Sequence, residues 1–249
     1  MDKGALIVTG SGRGIGAATA RLAAARGYAV CVNFASNRAA ADALVGDIID
    51  AGGEAFAQRA DVARREEVAA LFEAVDQRYG GLAGLVNNAG LAGQLGRLAE
   101  ADPAIIDRVI EVNVKGTIWC TQEAVGRMST ALGGKGGAIV NISSGSATIG
   151  SPGQYVWYAA SKGAVDSLTV GLAKELAGEG IRVNAVAPGV VATDIHDDSG
   201  GPGRLAEMVA GLPMGRAAQP EEIAGAVLWL LSDEASYTSG TILRVAGGR

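Results

Sequence analysis

Short apolar runs alternate with longer segments of helical periodicity along nearly the whole chain. The run Ala5-Leu6-Ile7-Val8-Thr9 is apolar at consecutive rather than alternate positions, which predicts a strand buried on both faces. Residues 14–26 then read as a helix rich in small residues that stops near Gly27, and 28–33 as a second strand. The rhythm repeats with a helix over 39–51 closed by Gly52-Gly53, a strand over 54–59, a helix over 64–79 closed by Gly80-Gly81, and a strand over 82–87. Glycine marks these helix ends because it accepts the left-handed backbone that terminates a helix. Downstream, 103–128 predicts one or two helices, 137–143 a strand and 155–177 a long helix closed near Gly178 and Gly180. A strand over 181–187, a helix over 220–231 with Pro220 in its first turn, and a short strand over 241–245 complete the pattern. Alternation of this kind predicts an α/β fold, a doubly wound parallel sheet of about seven strands with helices on both faces. Such sheets bind ligands beyond the carboxyl ends of their strands, where the strand order reverses.

One stretch breaks the rhythm. Residues 193–215 carry Asp194, His196, Asp197, Asp198 and the run Gly200-Gly201-Pro202-Gly203, then return to an apolar pattern at Leu205, Met208, Val209 and Leu212. A long irregular insertion beyond a strand end predicts a substrate lid, with an ordinary surface loop as the alternative. No linker or charge block divides the 249 residues, so one domain over 1–249 is expected.

Composition narrows the function. The formal charge is −5 and no Lys/Arg cluster occurs, which argues against a nucleic-acid partner. Cys31 and Cys120 sit in apolar stretches without CxxC spacing and read as core residues in a reducing compartment. The single histidine, His196, excludes any site needing two histidine ligands, and no metal is expected. Met1-Asp2-Lys3 leads straight into a strand, which fits no signal or transit peptide, and the uncharged stretch 136–161 is too rich in Gly and Ser for a membrane span. A cytoplasmic protein with no membrane partner is the expectation.

The candidate chemistry lies in Tyr158-Ala159-Ala160-Ser161-Lys162, with Ser144 upstream. A Tyr and a Lys four residues apart share a helix face, where the ammonium would favour the phenolate and lower a pKa that is normally about 10. A phenol tuned in this way exchanges protons near neutral pH. Tyr155 competes as the phenol, but the residue four beyond it is Ala159. The chain also opens with Thr9-Gly10-Ser11-Gly12-Arg13-Gly14-Ile15-Gly16 between a strand and a helix, a turn whose glycines let backbone approach a pyrophosphate at the helix N-terminus. Sites selective for NAD place Asp or Glu near the end of the second strand to hold the ribose 2′-hydroxyl. Here that region reads Asn33-Phe34-Ala35-Ser36-Asn37-Arg38, with Arg13 in the glycine turn. Two guanidinium groups, a hydroxyl and amides suit a 2′-phosphate, so NADP(H) is expected over NAD(H). Alternatively Arg38 faces solvent and leaves Arg13 alone.

The ordered series formed by the Thr9–Gly16 turn, Asp61-Val62, Asn87-Asn88-Ala89-Gly90, Asn113, Ser144, Tyr158 with Lys162, and Pro188-Gly189 followed by Thr193 resembles the short-chain dehydrogenase/reductase family over essentially the whole chain. The resemblance implies the Rossmann-type version of the predicted sheet. It also implies that Asp61 and Val62 contact the adenine, that Asn87, Ala89 and Gly90 support the cofactor ribose and pyrophosphate region, and that Pro188, Gly189, Val190 and Thr193 line the nicotinamide. Ser144 and Tyr158 would hold the substrate oxygen, Lys162 would tune Tyr158 and bond the nicotinamide ribose, and Asn113 would fix a water that links Lys162 to solvent. The Ser144–Tyr158 spacing is long for the family, which leaves Ser143 and Ser146 as alternatives to Ser144. Members are usually tetramers or dimers, so a homotetramer or homodimer is expected, acting on a small-molecule carbonyl or alcohol. Gly145, Ser146, Tyr155, Trp157, Gln94, Val190, Ile195, His196 and Met208 are candidates for the substrate wall. An NAD-linked alcohol or sugar dehydrogenase, a 3-oxoacyl-thioester reductase and a non-catalytic NADP(H) sensor are the competing readings.

Overall fold

Seven parallel strands run in the order β3-β2-β1-β4-β5-β6-β7. They are β1 (Ala5–Val8), β2 (Ala29–Phe34), β3 (Glu54–Arg59), β4 (Leu82–Asn87), β5 (Gly137–Ile142), β6 (Ile181–Pro188) and β7 (Ile242–Val245). The computed structural model describes residues 3–193, 199 and 203–249. The sheet is the doubly wound, Rossmann-type α/β arrangement, and its order reverses between β1 and β4.

Successive side chains on a strand point to opposite faces, and both faces are covered. Leu6, Val8, Val30, Val32, Val86 and Val140 pack on one side against α1 (Gly14–Ala25), α2 (Arg38–Asp50) and α9 (Pro220–Leu231). Ala5, Ile7, Cys31, Leu85, Ile139 and Val183 pack on the other against α3 (Arg65–Tyr79), α5 (Thr117–Met128) and α7 (Val156–Leu176). This two-sided burial explains why the strands read as continuous apolar runs. Both cysteines are fully buried, and burial pushes their thiols up, Cys120 to about 12.

The stretch 103–128 resolves into α4 (Pro103–Ile110), a π-helical turn (Glu111–Gly116) and α5. Asp102 caps α4 by accepting from Ala104 N at 2.9 Å, with Pro103 following in the first turn. The short helix α6 (Ser146–Ile149) has no counterpart in the periodicity, because a single turn is too short to show one. Of the expected lid over 193–215, residues 194–198 and 200–202 lie outside the described residues; the remainder contains α8 (Arg204–Val209). Among the described residues no helix is long and apolar enough to cross a membrane.

Candidate active site

A cleft of about 560 Å³ runs across the carboxyl ends of the strands, from Asp61 and Val62 at one end to Tyr158 and Arg244 at the other. The turn from β1 into α1 forms its floor. Gly10 and Gly14 have φ of 59° and 55°, a backbone that side chains disfavour. A Cβ on Gly10 would stand 2.8 Å from Ala89 Cα, and one on Gly16 would stand 2.5 Å from Asn88 Nδ2. The first glycine therefore permits the turn, and the third permits α1 to lie against the loop after β4. Arg13 is the N-cap of α1 and has extended backbone, with no side-chain cap on the helix. The first N–H groups of this twelve-residue helix are thus left for a ligand, and the helix dipole favours an anion there.

Three side chains hold the turn in place. Asn33 Oδ1 accepts from Gly10 N at 3.0 Å, while its Nδ2 donates to Gln58 O at 3.2 Å and Ala60 O at 3.0 Å. Asn88 Nδ2 donates to Thr9 O at 2.8 Å and Gly10 O at 3.0 Å. Thr9 Oγ1 accepts from the backbone N–H groups of Asn88 and Ala89, each at 3.0 Å. Asn88 and Thr9 were not singled out as site residues from sequence, although both stand inside motifs that were. At the far end Asp61 is fixed by Arg108 at 2.8 Å, a partner on α4 that no local pattern connects to it.

The second half of the cleft holds the proton-transfer groups. Ser144, at the end of β5, lies against Tyr158 and Lys162 of α7, and all three line the cleft. Lys162 is 4 % exposed, and its Nζ donates to Ile142 O at 2.7 Å. Burial pulls Lys162 down to about 8 against the opposing pull of Asp166. Burial likewise pushes Tyr158 up to about 12, opposed by a hydrogen bond with Ser144 and reinforced by Tyr155. The net direction is thus upward, opposite to the expected lowering. The ammonium is 5.8 Å from the centre of the phenol ring and is bonded to a carbonyl, and desolvation is the largest influence on the phenol. Ser144, rather than Ser143 or Ser146, faces the phenol: Ser143 Oγ donates to Asp166 Oδ1, and Ser146 offers its backbone N–H to Ser144 Oγ at 3.1 Å.

Most of the expected cofactor residues come together on the cleft wall. Gly10, Gly12, Arg13, Gly14 and Ile15 come from the first turn, and Asn33 and Ser36 from the end of β2. Asp61, Val62, Ala89 and Gly90 follow, and Pro188, Gly189, Val190 and Thr193 close the other side. Four expected residues are placed differently. Arg38 is 79 % exposed and pairs with Asp42 at 3.1 Å, one helical turn along α2, so it turns away from the cleft. Asn87 is buried beneath the strand ends and donates to Thr121 Oγ1 at 3.1 Å and Asn141 Oδ1 at 2.9 Å. Gly16 sits behind the turn against Asn88. Asn113, fully buried in the π-helical turn, accepts from Leu91 N at 3.0 Å and donates to Leu91 O at 2.9 Å and Ser161 Oγ at 3.0 Å. Its amide braces the loop after β4 against α7. Of the expected substrate wall, Gly145, Ser146, Tyr155, Val190 and Met208 line the cleft. Trp157 is instead buried and donates to Ala92 O at 3.1 Å, Gln94 lies off the lining, and Ile195 and His196 lie outside the described residues.

Comparison with known proteins agrees with this geometry. Residues 10–249 match the family described as enoyl-(acyl carrier protein) reductase. The uncharacterized oxidoreductase YgfF of Escherichia coli K12 is 49 % identical over 243 residues, 98 % of each chain. The 3-oxoacyl-[acyl-carrier-protein] reductase FabG of Staphylococcus aureus Mu50 is 41 % identical over 251 residues, covering 100 % of this chain and 98 % of that one. A dehydrogenase/reductase from Sinorhizobium meliloti 1021 superimposes with a TM-score of 0.91 at 34 % identity, over 100 % of this chain and 95 % of that one. The chain belongs to the short-chain dehydrogenase/reductase family. It is an oxidoreductase of that family, whose members use NAD(P)(H).

The residues present fit a dinucleotide. The glycine turn leaves a backbone cradle that a Cβ at Gly10 or Gly14 would obstruct, the latter at 3.1 Å from Thr193 Cγ2. Beyond α1, Gly90 keeps open the space beside Asn113 Oδ1 and Lys162 Nζ, which a Cβ would approach to 3.3 and 3.4 Å. In this member of the short-chain dehydrogenase/reductase family, the sequence also hid the brace formed by Ser143 and Asp166 and the approach of Arg244, because both depend on pairing between distant segments.

Proposed function

We propose that the protein is an NADP(H)-dependent oxidoreductase that interconverts a carbonyl and an alcohol, with Tyr158 as general acid and base. The observation that carries the cofactor choice is the end of β2: Asn33, Phe34, Ala35, Ser36 and Asn37 line the cleft there without a carboxylate, and Arg13 borders the same space. A carboxylate would repel a 2′-phosphate, whereas a guanidinium attracts one. The nicotinamide, when bound, supplies or accepts the hydride. Ser144 and Tyr158 hold the substrate oxygen, and Tyr158 Oη gives its proton as negative charge develops there. Burial favours the protonated phenol, the form that gives its proton in reduction. Lys162 lies behind it with the chemistry to return a proton, since a group near 8 exchanges one readily. Asn113 keeps the backbone of Leu91 and Ser161 of α7 in register around this pair.

The turn of Arg38 toward Asp42 takes one expected guanidinium from the end of β2 and keeps an NAD-linked alcohol or sugar dehydrogenase as the reading to test against. The likeness to FabG supports a 3-oxoacyl thioester as one substrate to try. On the same reading the protein works in the cytoplasm as a homodimer or homotetramer, supported by Ile118 on α5 and Val170 on α7, which are 41 % and 37 % exposed.

The deciding experiment follows NADPH and NADH oxidation against diketones, quinones, 3-oxoacyl thioesters, aldehydes and ketoses, with the Tyr158→Phe variant alongside. Turnover with NADPH that falls by about 100-fold or more in Tyr158→Phe, with NADPH binding retained, is the expected outcome. Unchanged turnover in the variant would remove Tyr158 from its role.

A further inference from the structure

We propose that Arg244, with Arg249 on the same cleft lining, forms a subsite for an anionic group, so that the substrate is a carboxylate-bearing ketone or alcohol. The inference rests on the oxidoreductase reading of the cleft and adds the class of substrate to it.

Arg244 is far from the catalytic residues in sequence and is brought to them by strand pairing. β7 pairs in parallel with β6, placing Arg244 opposite Ala187 and Val245 opposite Pro188 at the carboxyl end of the sheet. From there the guanidinium reaches the residue after Ser144: a Cβ built on Gly145 would lie 3.7 Å from Arg244 Nη2. Gly145 is itself fixed, its N–H donating to Pro188 O at 2.8 Å. The tail beyond β7 is built rather than loose. Gly189 N donates to Val245 O at 3.0 Å, and Arg249 N closes a turn onto Ala246 O at 3.2 Å. Gly247 and Gly248 take φ of 60° and 88° within it, and Cβ atoms there would meet Met214 Sδ at 3.4 Å and Pro213 Cβ at 3.1 Å. Arg244 and Arg249 both line the cleft.

On the cleft lining their pairing state differs from that of Arg108, which holds Asp61 at 2.8 Å. Arg21, Arg38, Arg59, Arg108, Arg127 and Arg216 each hold a carboxylate within 3.1 Å. Among the described residues neither the Arg244 nor the Arg249 guanidinium has an ion pair or a hydrogen bond. The one carboxylate side chain on the described cleft lining is Asp61, at the other end and tied to Arg108. A protein of net charge −5 thus places the uncommitted Arg244 guanidinium beside the residue after Ser144, with Arg249 on the same cleft lining. The planar fork of Arg matches a carboxylate with two parallel hydrogen bonds, which a neutral ketone does not offer. Both arginines are exposed, so the attraction is screened by salt and its effect should lie at the low end for charge-assisted bonds.

The test uses the oxo-acids from 3-oxobutanoate to 6-oxoheptanoate and their methyl esters, with NADPH, on the wild type and on Arg244→Gln, Arg244→Lys, Arg249→Gln and the surface control Arg21→Gln. Calorimetric binding of the same compounds runs in parallel. For at least one chain length the acid should exceed its ester in kcat/KM by about tenfold. That preference should shrink at 0.5 M salt (roughly a 4 Å screening length). Arg244→Gln should remove it through KM rather than kcat, Arg244→Lys should restore part of it, and Arg21→Gln should keep it. Esters matching acids throughout, or a preference that survives Arg244→Gln, would overturn the subsite while leaving the oxidoreductase reading in place. If no compound is turned over, acid-selective binding lost in Arg244→Gln supports the subsite and counts against the reaction; equal binding of acid and ester overturns the subsite.

Discussion

Replacing Asn33 with Ala should destabilise the protein by about 3–5 kcal/mol. Asn33 is 1 % exposed and spends its amide on three backbone partners: the Gly10 N–H, the Gln58 carbonyl and the Ala60 carbonyl. The bond to Ala60 O is the buried one, and leaving that carbonyl unpaired costs about 1–3 kcal/mol. The other two bonds are partly buried, so water replaces them in part and each loss costs about 1 kcal/mol. For a chain of this size about 2–4 °C of Tm accompanies each kcal/mol, which gives a fall of roughly 10 °C. Asn33→Asp should be worse than Ala: it keeps the acceptor for Gly10 but turns an oxygen toward two carbonyl oxygens and buries a charge. Calorimetric melts of the three proteins provide the assay, with NADPH titration as a second readout because Gly10 is the residue that Asn33 holds. A Tm loss under about 2 °C for Ala, or an Asp variant as stable as the wild type, would refute the claim that this amide is what fixes the turn.

Other expectations follow from the charges of the site. Arg13→Ala should raise the NADPH Kd by about tenfold or more and the NADH Kd far less, measured by fluorescence titration; equal losses would refute 2′-phosphate recognition. Lys162 should make stability depend on pH. Its folded pKa of about 8 lies below the unfolded value of 10.5, so between these pH values the unfolded chain binds a proton that the folded one lacks. Stability therefore rises with pH over that window, by up to about 1.4 kcal/mol per pH unit, and below pH 8 the group is a constant cost. Lys162→Met should lose that rise when Tm is followed from pH 8 to 10, and parallel curves would refute it. Tyr158 acts in the opposite sense: its folded pKa of about 12 exceeds the usual 10, so its contribution declines as pH rises past 10, a decline that Tyr158→Phe should remove.

The sequence carried the fold well because each strand is covered on both faces and so reads as an unbroken apolar run. The catalytic pair was legible because a separation of four residues is fixed by helix geometry alone. Arg38 was misplaced for a related reason. It opens α2 with Asp42 four residues on, and that local ion pair competes with any pull toward the cleft. The brace on Gly10 required knowing that β1 lies between β2 and β4, since Asn33 and Asn88 converge on one turn from opposite sides. Arg244 was invisible until β7 was paired with β6. The upward direction of the Tyr158 pKa was not legible because burial, its largest cause, is a property of packing and not of spacing.

The π-helical turn over Glu111–Gly116 joins α4 to α5. An α-helix advances about 100° per residue, and a π turn absorbs an added residue without breaking the rod. Deleting one residue there would turn the π turn into a regular α-helical turn and leave the face that α5 presents nearly unchanged. The stripe of Cys120, Thr121, Ala124 and Met128 would keep facing the sheet, whereas Asn113, which lies within the turn, would leave its place against Leu91. The wider turn thus lets Asn113 reach Leu91 without disturbing the seating of α5 on the sheet.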